Sequence, residues 1–325
     1  MTPPISVIVL NYNGREWLGP CLTALSAQSG APQYEIVLAD NGSTDGSIDF
    51  VSARFPRVVI ADNRRNLGYA AGNNAAARVA RGDVLVFLNN DTIPAPDWLA
   101  RLHAAYVSAP SPALVTSKIV FLDRPGVIDS AGDGYLRAGG AFKHAHGMNV
   151  ERAGSSREVF GACGAAFMIG RDLFDRLGGF DERFFMVYED VDLSYRARLA
   201  GARCYYAAEA TVRHAGSATL GALSASAVYH GQRNLEWTWI KNTPGGLLLR
   251  SLPAHVLYSI AGVLHYIVKN QGGAAIRAKL AALAGLPHVL AQRRVIQHAR
   301  IADADAIDKV VDRGWLARKW REKQR

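Results

Sequence analysis

The stretch Val84-Leu85-Val86-Phe87-Leu88-Asn89-Asn90-Asp91 constrains this chain most. Its apolar run predicts a strand buried on both faces, as in a sheet covered by helices on each side. The strand runs straight into two amides and an acid. In open α/β sheets, ligands bind at the carboxyl ends of the strands. A carboxylate placed there beside amides suits a divalent cation shared with phosphate oxygens. Taken alone, the tripeptide serves equally well as a turn or helix cap.

The same layout recurs through the first third of the chain. Residues 5–10, 35–39, 57–61 and 84–88 read as strands, and residues 15–28, 47–54 and 69–81 as helices. Trp17, Leu18, Cys21, Leu22 and Leu25 give the first helix its apolar face. Repeated β-α units of this length imply an α/β fold with a mostly parallel sheet covered on both faces. Four turns carry polar or glycine residues: Asn11-Tyr12-Asn13-Gly14, Asp40-Asn41-Gly42-Ser43, Asn66-Leu67-Gly68-Tyr69 and Asn89-Asn90-Asp91. One such turn means little, but four at one sheet edge make a polar cleft for a nucleotide-type ligand. No G-x-G-x-x-G follows the first strand and no G-x-x-x-x-G-K-[ST] occurs, so dinucleotide and P-loop readings are weak.

Between residues 114 and 167 the periodicity loosens and glycines cluster at 132, 134, 139 and 140. Helical spacing returns at residues 171–177 and 192–200. After Lys241-Asn242-Thr243-Pro244-Gly245-Gly246 the composition shifts to long apolar and basic stretches. The expected organisation is a catalytic body over residues 1–243 and a helical, basic region over 244–325. Charge divides at the same place. Residues 1–245 carry 23 basic and 23 acidic side chains, whereas residues 246–325 carry 14 and 5, so the whole net +9 lies there. A nucleic-acid binder would spread its basic charge over the body. A neutral body with a basic tail suits an anionic membrane surface, and no nucleic-acid partner is expected.

Three cysteines, Cys21, Cys163 and Cys204, show no disulfide or metal-ligand spacing, which points to a reducing compartment. The N-terminal residues lack the basic region of a signal peptide. A cytoplasmic location, peripheral on the inner face of the cell membrane, is expected.

Two further constellations carry chemistry. In the run from Gly178 to Leu193, Glu189, Asp190 and Asp192 follow aromatic residues and precede a helix. A carboxylate held against apolar walls can take a proton from a hydroxyl, although Asp190 and Asp192 would also serve as helix caps. His214 follows a strand at residues 203–207. A lone histidine is more often an ordinary surface or core residue, and it becomes a ligand candidate only if the fold brings it beside Asp91.

Together these stretches resemble the family 2 glycosyltransferases of GT-A fold, particularly the rhamnosyltransferase-like branch. The resemblance rests on Ser6–Asn13, Val37–Gly46, Asn66–Asn73, Asn89–Asp91, Gly179 through Leu193, and His214, in family order. It implies that Asp40 holds the imide of a uracil or thymine ring with Tyr12 beside the base. Asn66 and Gly68 would line the nucleotide-sugar pocket. Asn89-Asn90-Asp91 resembles the family's D-x-D motif, with Asp91 binding Mg2+ or Mn2+ and His214 completing the metal shell. Asp190 matches the catalytic base. Asn89 departs from the pattern because it brings no charge where many members have Asp. The Q-x-x-R-W motif of processive synthases is absent. Gln232-Arg233-Asn234 stands nearby without matching it, so one sugar per encounter is expected.

The implied function is inverting transfer from a UDP- or dTDP-sugar, dTDP-rhamnose being one donor, to a saccharide acceptor. A polyprenyl-diphosphate-linked acceptor, in cell-surface polysaccharide biosynthesis, would explain the tail. A sugar-nucleotidyltransferase is an alternative, but it would want a glycine-rich basic loop after the first strand, and Asn11-Tyr12-Asn13-Gly14-Arg15 is not one. A catalytically weak saccharide- or nucleotide-sugar-binding protein is another, suggested by Asn89. In the tail, Leu249, Leu252, Val256, Ile260, Val263 and Ile267 recur at three- and four-residue steps, interrupted by Arg250, Pro253, His255 and His265. An in-plane amphipathic helix, a soluble helix packed on the body and a membrane span are the three readings. Trp315, Trp320 and the basic residues 318–325 favour an interface.

Overall fold

The apolar segments of the first third become the parallel half of a sheet. The computed structural model describes residues 4–216 and 224–314. Strands β1 (Ile5–Asn11), β2 (Tyr34–Asp40), β3 (Val59–Asp62) and β4 (Val84–Asn89) alternate with helices α1 (Arg15–Ser26), α2 (Ser47–Arg54) and α3 (Gly68–Val79). The strands pair in parallel in the order β3-β2-β1-β4. The chain then adds β5 (Thr92–Pro94), α4 (Trp98–Ser108), β6 (Ala113–Phe121), β7 (Ile128–Ser130), β8 (Asp133–Tyr135), β9 (Ala141–Lys143) and β10 (Arg157–Val159). After these come β11 (Ala166–Gly170), α5 (Arg171–Arg176), α6 (Glu189–Leu199) and β12 (Arg203–His214).

The full order is β10-β12-β6-β11-β4-β1-β2-β3, with β5 on β12 and β7 on β6, while β8 and β9 form a separate hairpin. This corrects the expected, mostly parallel sheet to a mixed one. Strand β11 lies between β4 and β6 and runs against both. Burial of its AFMIG sequence on both faces carries no information about direction. The chain enters β11 at the edge where β4 ends, with Ala166 opposite Leu88, and that fixes its polarity.

Strand alternation splits the core into two layers. Ile8, Val37, Leu85 and Phe87 face one side, and Val7, Val9, Val86 and Leu88 face the other. On the first side Phe87 stacks on Phe167 at 5.1 Å, and Phe180 meets it edge-on at 5.0 Å. Phe180 precedes the acidic run, so this aromatic cluster anchors that run to the sheet. Removing such a buried ring typically costs about 3–5 kcal/mol.

Helices α7 (Ala225–Asn242), α8 (Gly245–Val268), α9 (Gly272–Ala284), α10 (Leu286–His298) and α11 (Ala304–Val310) complete the described chain. The turn at Thr243-Pro244, where the composition changes, separates α7 from α8. The later helices pack on the body: Leu247, Ile307 and Val311 join Tyr135, Phe160 and Tyr195, while Ala282 and Val289 meet Phe184 and Trp237. Helix α8 is long and apolar enough to cross a membrane, and 17% of its most apolar window is buried. Leu249, Leu257, Ile260, Leu264 and Val268 are each more than half exposed. Trp315, Trp320 and residues 318–325 lie outside the described residues.

Candidate active site

The carboxyl ends of β1, β2 and β4 meet at one edge, and buried amides tie them together. Asn11, fully buried, donates through Nδ2 to Asp40 Oδ2 (2.9 Å) and accepts from Asn90 Nδ2 (2.7 Å). Asp40 Oδ1 accepts from the Ser43 backbone N–H at 2.7 Å. As the last residue of β2, Asp40 is fully buried, with Oδ1 on the turn that follows and Oδ2 on Asn11. Asn90 likewise points inward, to Asn11. Tyr12 is 40% exposed at the rim. Asn66 Oδ1 accepts from Gly68 N at 2.9 Å. Gly68 has φ +75°, and a Cβ there would lie 2.4 Å from the Phe185 carbonyl oxygen, so only glycine fits.

Sheet register assembles the second part. Strand β5 pairs with β12 so that Thr92 faces His214, and Ala215 N–H donates to the Asp91 carbonyl. This brings Asp91 Oδ1 to 3.2 Å from His214 Nε2. The other ring nitrogen, Nδ1, lies 2.8 Å from Asp129 Oδ2. Asp129 also accepts from Lys143 Nζ at 2.7 Å, and His146 Nδ1 lies 3.3 Å from the same Oδ1. Burial disfavours charge on His214, but Asp129 and Asp91 outweigh it and raise its pKa to about 9. Burial also works against the Asp129 carboxylate. Hydrogen bonds from His146 and His214 and the charge of Lys143 nonetheless hold it well below the usual carboxylate range.

The third part is Asp190. Helix α6 begins at Glu189, and its cap residue Tyr188 makes no side-chain capping bond. Asp190 Oδ2 accepts from Gly164 N–H (2.7 Å), and Oδ1 accepts from Val191 N–H (2.8 Å). Burial pushes its pKa up, against those hydrogen bonds. Ligand atoms of Asp133, Cys163 and Asp190 all lie within 4.8 Å of one another. Burial, then the charge of Asp190, pushes Asp133 up to about 8. Asp192 belongs elsewhere: it pairs with Arg196 (2.8 Å) and Lys241 (2.9 Å) in a buried network. A cavity of about 920 Å3 lined by Tyr34, Glu35, Arg54, Arg57 and Arg81 lies at the opposite end of β2. Its Glu35 is already bound by Ser6 and Arg81, so it offers no free acid.

A family model for glycosyl transferase family 2 matches residues 6–178, more than half of the chain. The chain belongs to glycosyltransferase family 2. It is 30% identical over 239 residues to the N-acetylglucosaminyl-diphospho-decaprenol L-rhamnosyltransferase of Mycobacterium tuberculosis, covering 66% of this chain and 76% of that protein. It is also 30% identical over 228 residues to the O-antigen biosynthesis protein RfbC of Myxococcus xanthus, covering 67% of this chain and 18% of that one. The chain spans about a quarter or less of several curated relatives it matches. Among solved structures, the mannosyltransferase PcManGT of Pyrobaculum calidifontis, in complex with GDP-Man and Mn2+, superposes with TM-score 0.54 at 19% identity. That match covers 95% of this chain and 87% of that one. S. aureus TarS 1-349 with UDP-GlcNAc gives TM-score 0.56 at 18% identity, covering 95% and 90%. These likenesses establish a GT-A-like fold.

Within this family 2 chain, sequence reasoning missed Asp129, Asp133 and Lys143. They sit where periodicity fails, on short strands β7, β8 and β9, and their only signal was the acidic and glycine-rich composition of that stretch. Asp129 meets His214, and Asp133, four residues on, meets Asp190. One turn therefore joins the two carboxylate groups of the site.

Proposed function

We propose that this family 2 glycosyltransferase moves one sugar from a UDP- or dTDP-sugar to a saccharide hydroxyl, with inversion, the acceptor being carried on a polyprenyl diphosphate. The observation that carries the reading is the pairing of two different poles at one sheet edge. One is the Asp91–His214 pair, and the other is the half-buried Asp190, whose pKa is raised.

The first pole fits a divalent cation. Two ligands at right angles on an ion, each about 2.1 Å from it, lie about 3 Å apart, and Asp91 Oδ1 and His214 Nε2 are 3.2 Å apart. Asp129 holds the far nitrogen of His214, the usual support of a ligating imidazole. When bound, Mg2+ or Mn2+ would neutralise the diphosphate as it leaves. Asn89 would contribute only an amide, leaving Asp91 as the charged ligand of the motif. At the second pole Asp190 takes the proton of the acceptor hydroxyl as its oxygen attacks the anomeric carbon. The bond from that carbon to the diphosphate breaks and carries its electron pair away. One displacement inverts the centre. The backbone N–H groups of Gly164 and Val191 fix the Asp190 carboxylate and keep its basicity moderate. The test is product analysis with a panel of nucleotide sugars and polyprenyl-diphosphate acceptors, with anomeric configuration read by NMR. Retention of configuration, or formation of a nucleotide sugar from a sugar phosphate, would overturn the proposal.

The donor base is expected to be uracil or thymine, with Tyr12 at the rim against its ring and residues 40–43 offering acceptors to N3–H. Calorimetry in the presence of Mn2+ should give at least tenfold tighter binding of UDP or dTDP than of GDP, about 1.4 kcal/mol. A clear preference for GDP refutes this.

The tail is assigned to an anionic bilayer. The exposed leucines and isoleucines of α8 would insert in plane while basic residues face head groups, each contributing about 1 kcal/mol near the surface. Because α9 and α10 cover Trp237 and Phe184, truncation at Gly245 would strip the body. Full-length protein with Leu249, Leu257, Ile260 and Leu264 replaced by Gln is the better probe. The wild type should sediment with phosphatidylglycerol vesicles and be partly released by high salt, and the variant should not sediment. Equal behaviour of the two would mean that α8 is structural.

A further inference from the structure

The segment leading into Asp190 has a backbone that its own sequence does not favour. Phe185 (φ 63°), Val187 (φ 65°) and Tyr188 (φ 79°) are all in the left-handed region, and none is glycine. A β-branched residue there is a genuine outlier. Such a path persists only where its surroundings over-determine it. On one side the Phe185 carbonyl accepts from the Tyr69 (2.6 Å) and Ala70 (3.2 Å) N–H groups at the start of α3, beside Gly68. On the other side stands α7. The fully buried Asn234 directs Nδ2 at the carbonyls of Phe184 (3.0 Å), Met186 (2.9 Å) and Val187 (2.7 Å). Arg233 Nη2 donates to the carbonyls of Arg183 (2.7 Å) and Phe184 (3.0 Å). Its Nε donates to Asn234 Oδ1 at 2.9 Å, so the arginine orients the amide. The guanidinium itself lies 4.3 Å over the Trp237 ring.

We infer that Arg233 and Asn234 are positioning residues for Asp190: the pair holds residues 183–187 in the one path that delivers the carboxylate to the Gly164 N–H. The chemistry is specific to these side chains. The amide presents two N–H groups to converging carbonyls, and a carboxylate of the same size would present only acceptors. The guanidinium reaches two carbonyls and the amide at once, which an ammonium on a flexible stem does not. This inference rests on Asp190 being the base, and the test separates the two.

Asn234→Asp and Arg233→Lys are made in the full chain, each with and without Asp190→Asn. Folding is checked by circular dichroism. The expected result for Asn234→Asp is a fall in kcat of about 100-fold, the cost of a misplacement near 1 Å. Affinity for UDP or dTDP with Mn2+ should stay within about threefold, because the ligands of the first pole are untouched. Amide hydrogen exchange over residues 184–192 should accelerate about tenfold while β1 and β4 keep wild-type rates. Arg233→Lys should give a smaller fall of the same kind, and it decides the matter if Asn234→Asp does not fold. In the Asp190→Asn background neither substitution should lower kcat further, since a misplaced base and a missing base are the same defect. An undiminished kcat in the folded variants, an equal loss in both backgrounds, or a parallel loss of nucleotide affinity overturns the positioning role. High activity of Asp190→Asn alone instead overturns the base.

Discussion

Asp190→Asn is expected to lower turnover by about two to four decades, with affinity for UDP or dTDP and Mn2+ within about threefold of wild type. The amide keeps the shape of the side chain and can still meet one N–H group, but it accepts no proton. Asp133→Asn is the informative companion. Burial raises both carboxyls, and the Asp190 charge pushes Asp133 up to about 8, so Asp133 is the member of the pair that holds a proton near neutrality. Replacing Asp133 by a neutral amide should therefore cost less than about tenfold at pH 7. The sign of the pH effect follows. A base with a raised pKa is protonated and idle below that value, so kcat should fall as pH drops through a limb above the ordinary carboxylate range. Asp133 is neutral through that limb, so Asp133→Asn should leave the limb in place. Near-normal turnover in Asp190→Asn, or an acid limb that persists unchanged in that variant, would remove Asp190 from the role.

EDTA is expected to abolish activity, and Asp91→Ala to weaken Mn2+-dependent UDP or dTDP binding by more than about 100-fold. Loss of the supporting carboxylate in Asp129→Ala should cost about 10–100-fold. His214 adds a pH signature. Its pKa of about 9 means that the ring is protonated at neutrality, and an ion needs Nε2 without its proton. Mn2+ affinity should rise with pH up to about 9, and binding at pH 7 should release a proton. Calorimetry in buffers of different ionisation enthalpy measures that release directly. Full turnover in EDTA, or unaltered binding in Asp91→Ala, is incompatible with the first pole.

Much of this architecture was legible in the chain. The β-α alternation and the polar strand ends at Asn11, Asp40 and Asn89 predict the cleft edge, because buried strands must be apolar and ligand-facing turns must not be. The resemblance to the family picked out Asp91, Asp190 and His214, more than a hundred residues apart at the extremes. Their chemistry was harder to read. Asp192 and Asp190 looked alike in sequence, yet one lies in a buried ion network with Arg196 and Lys241 while the other accepts from two backbone N–H groups and lies beside Asp133 and Cys163. Asp40 looked like a ligand-facing acid, and the fold also gives its oxygens hydrogen bonds from Asn11 and Ser43.

Local pattern thus determined the layers, the edge that carries polar residues, the charge division near Gly245 and the family. Only the tertiary structure decided which polar groups meet. Strand β6 receives β7 through Ile119–Ser130 and β12 through Phe121–His214, and that shared partner places Asp129 against His214. Strand β5 on β12 does the same for Asp91. Strands β5 and β7 are three residues long, β12 carries a register shift between Ala207 and Thr211, and β7 lies in the stretch without periodicity. Residue spacing along a chain encodes which face a side chain takes. It does not encode the register between strands remote in sequence, which is set by packing and backbone hydrogen bonding across the whole sheet. The left-handed path of residues 185–188 is the extreme case: nothing in Phe185-Met186-Val187-Tyr188 favours it, and Asn234, some fifty residues on, holds it.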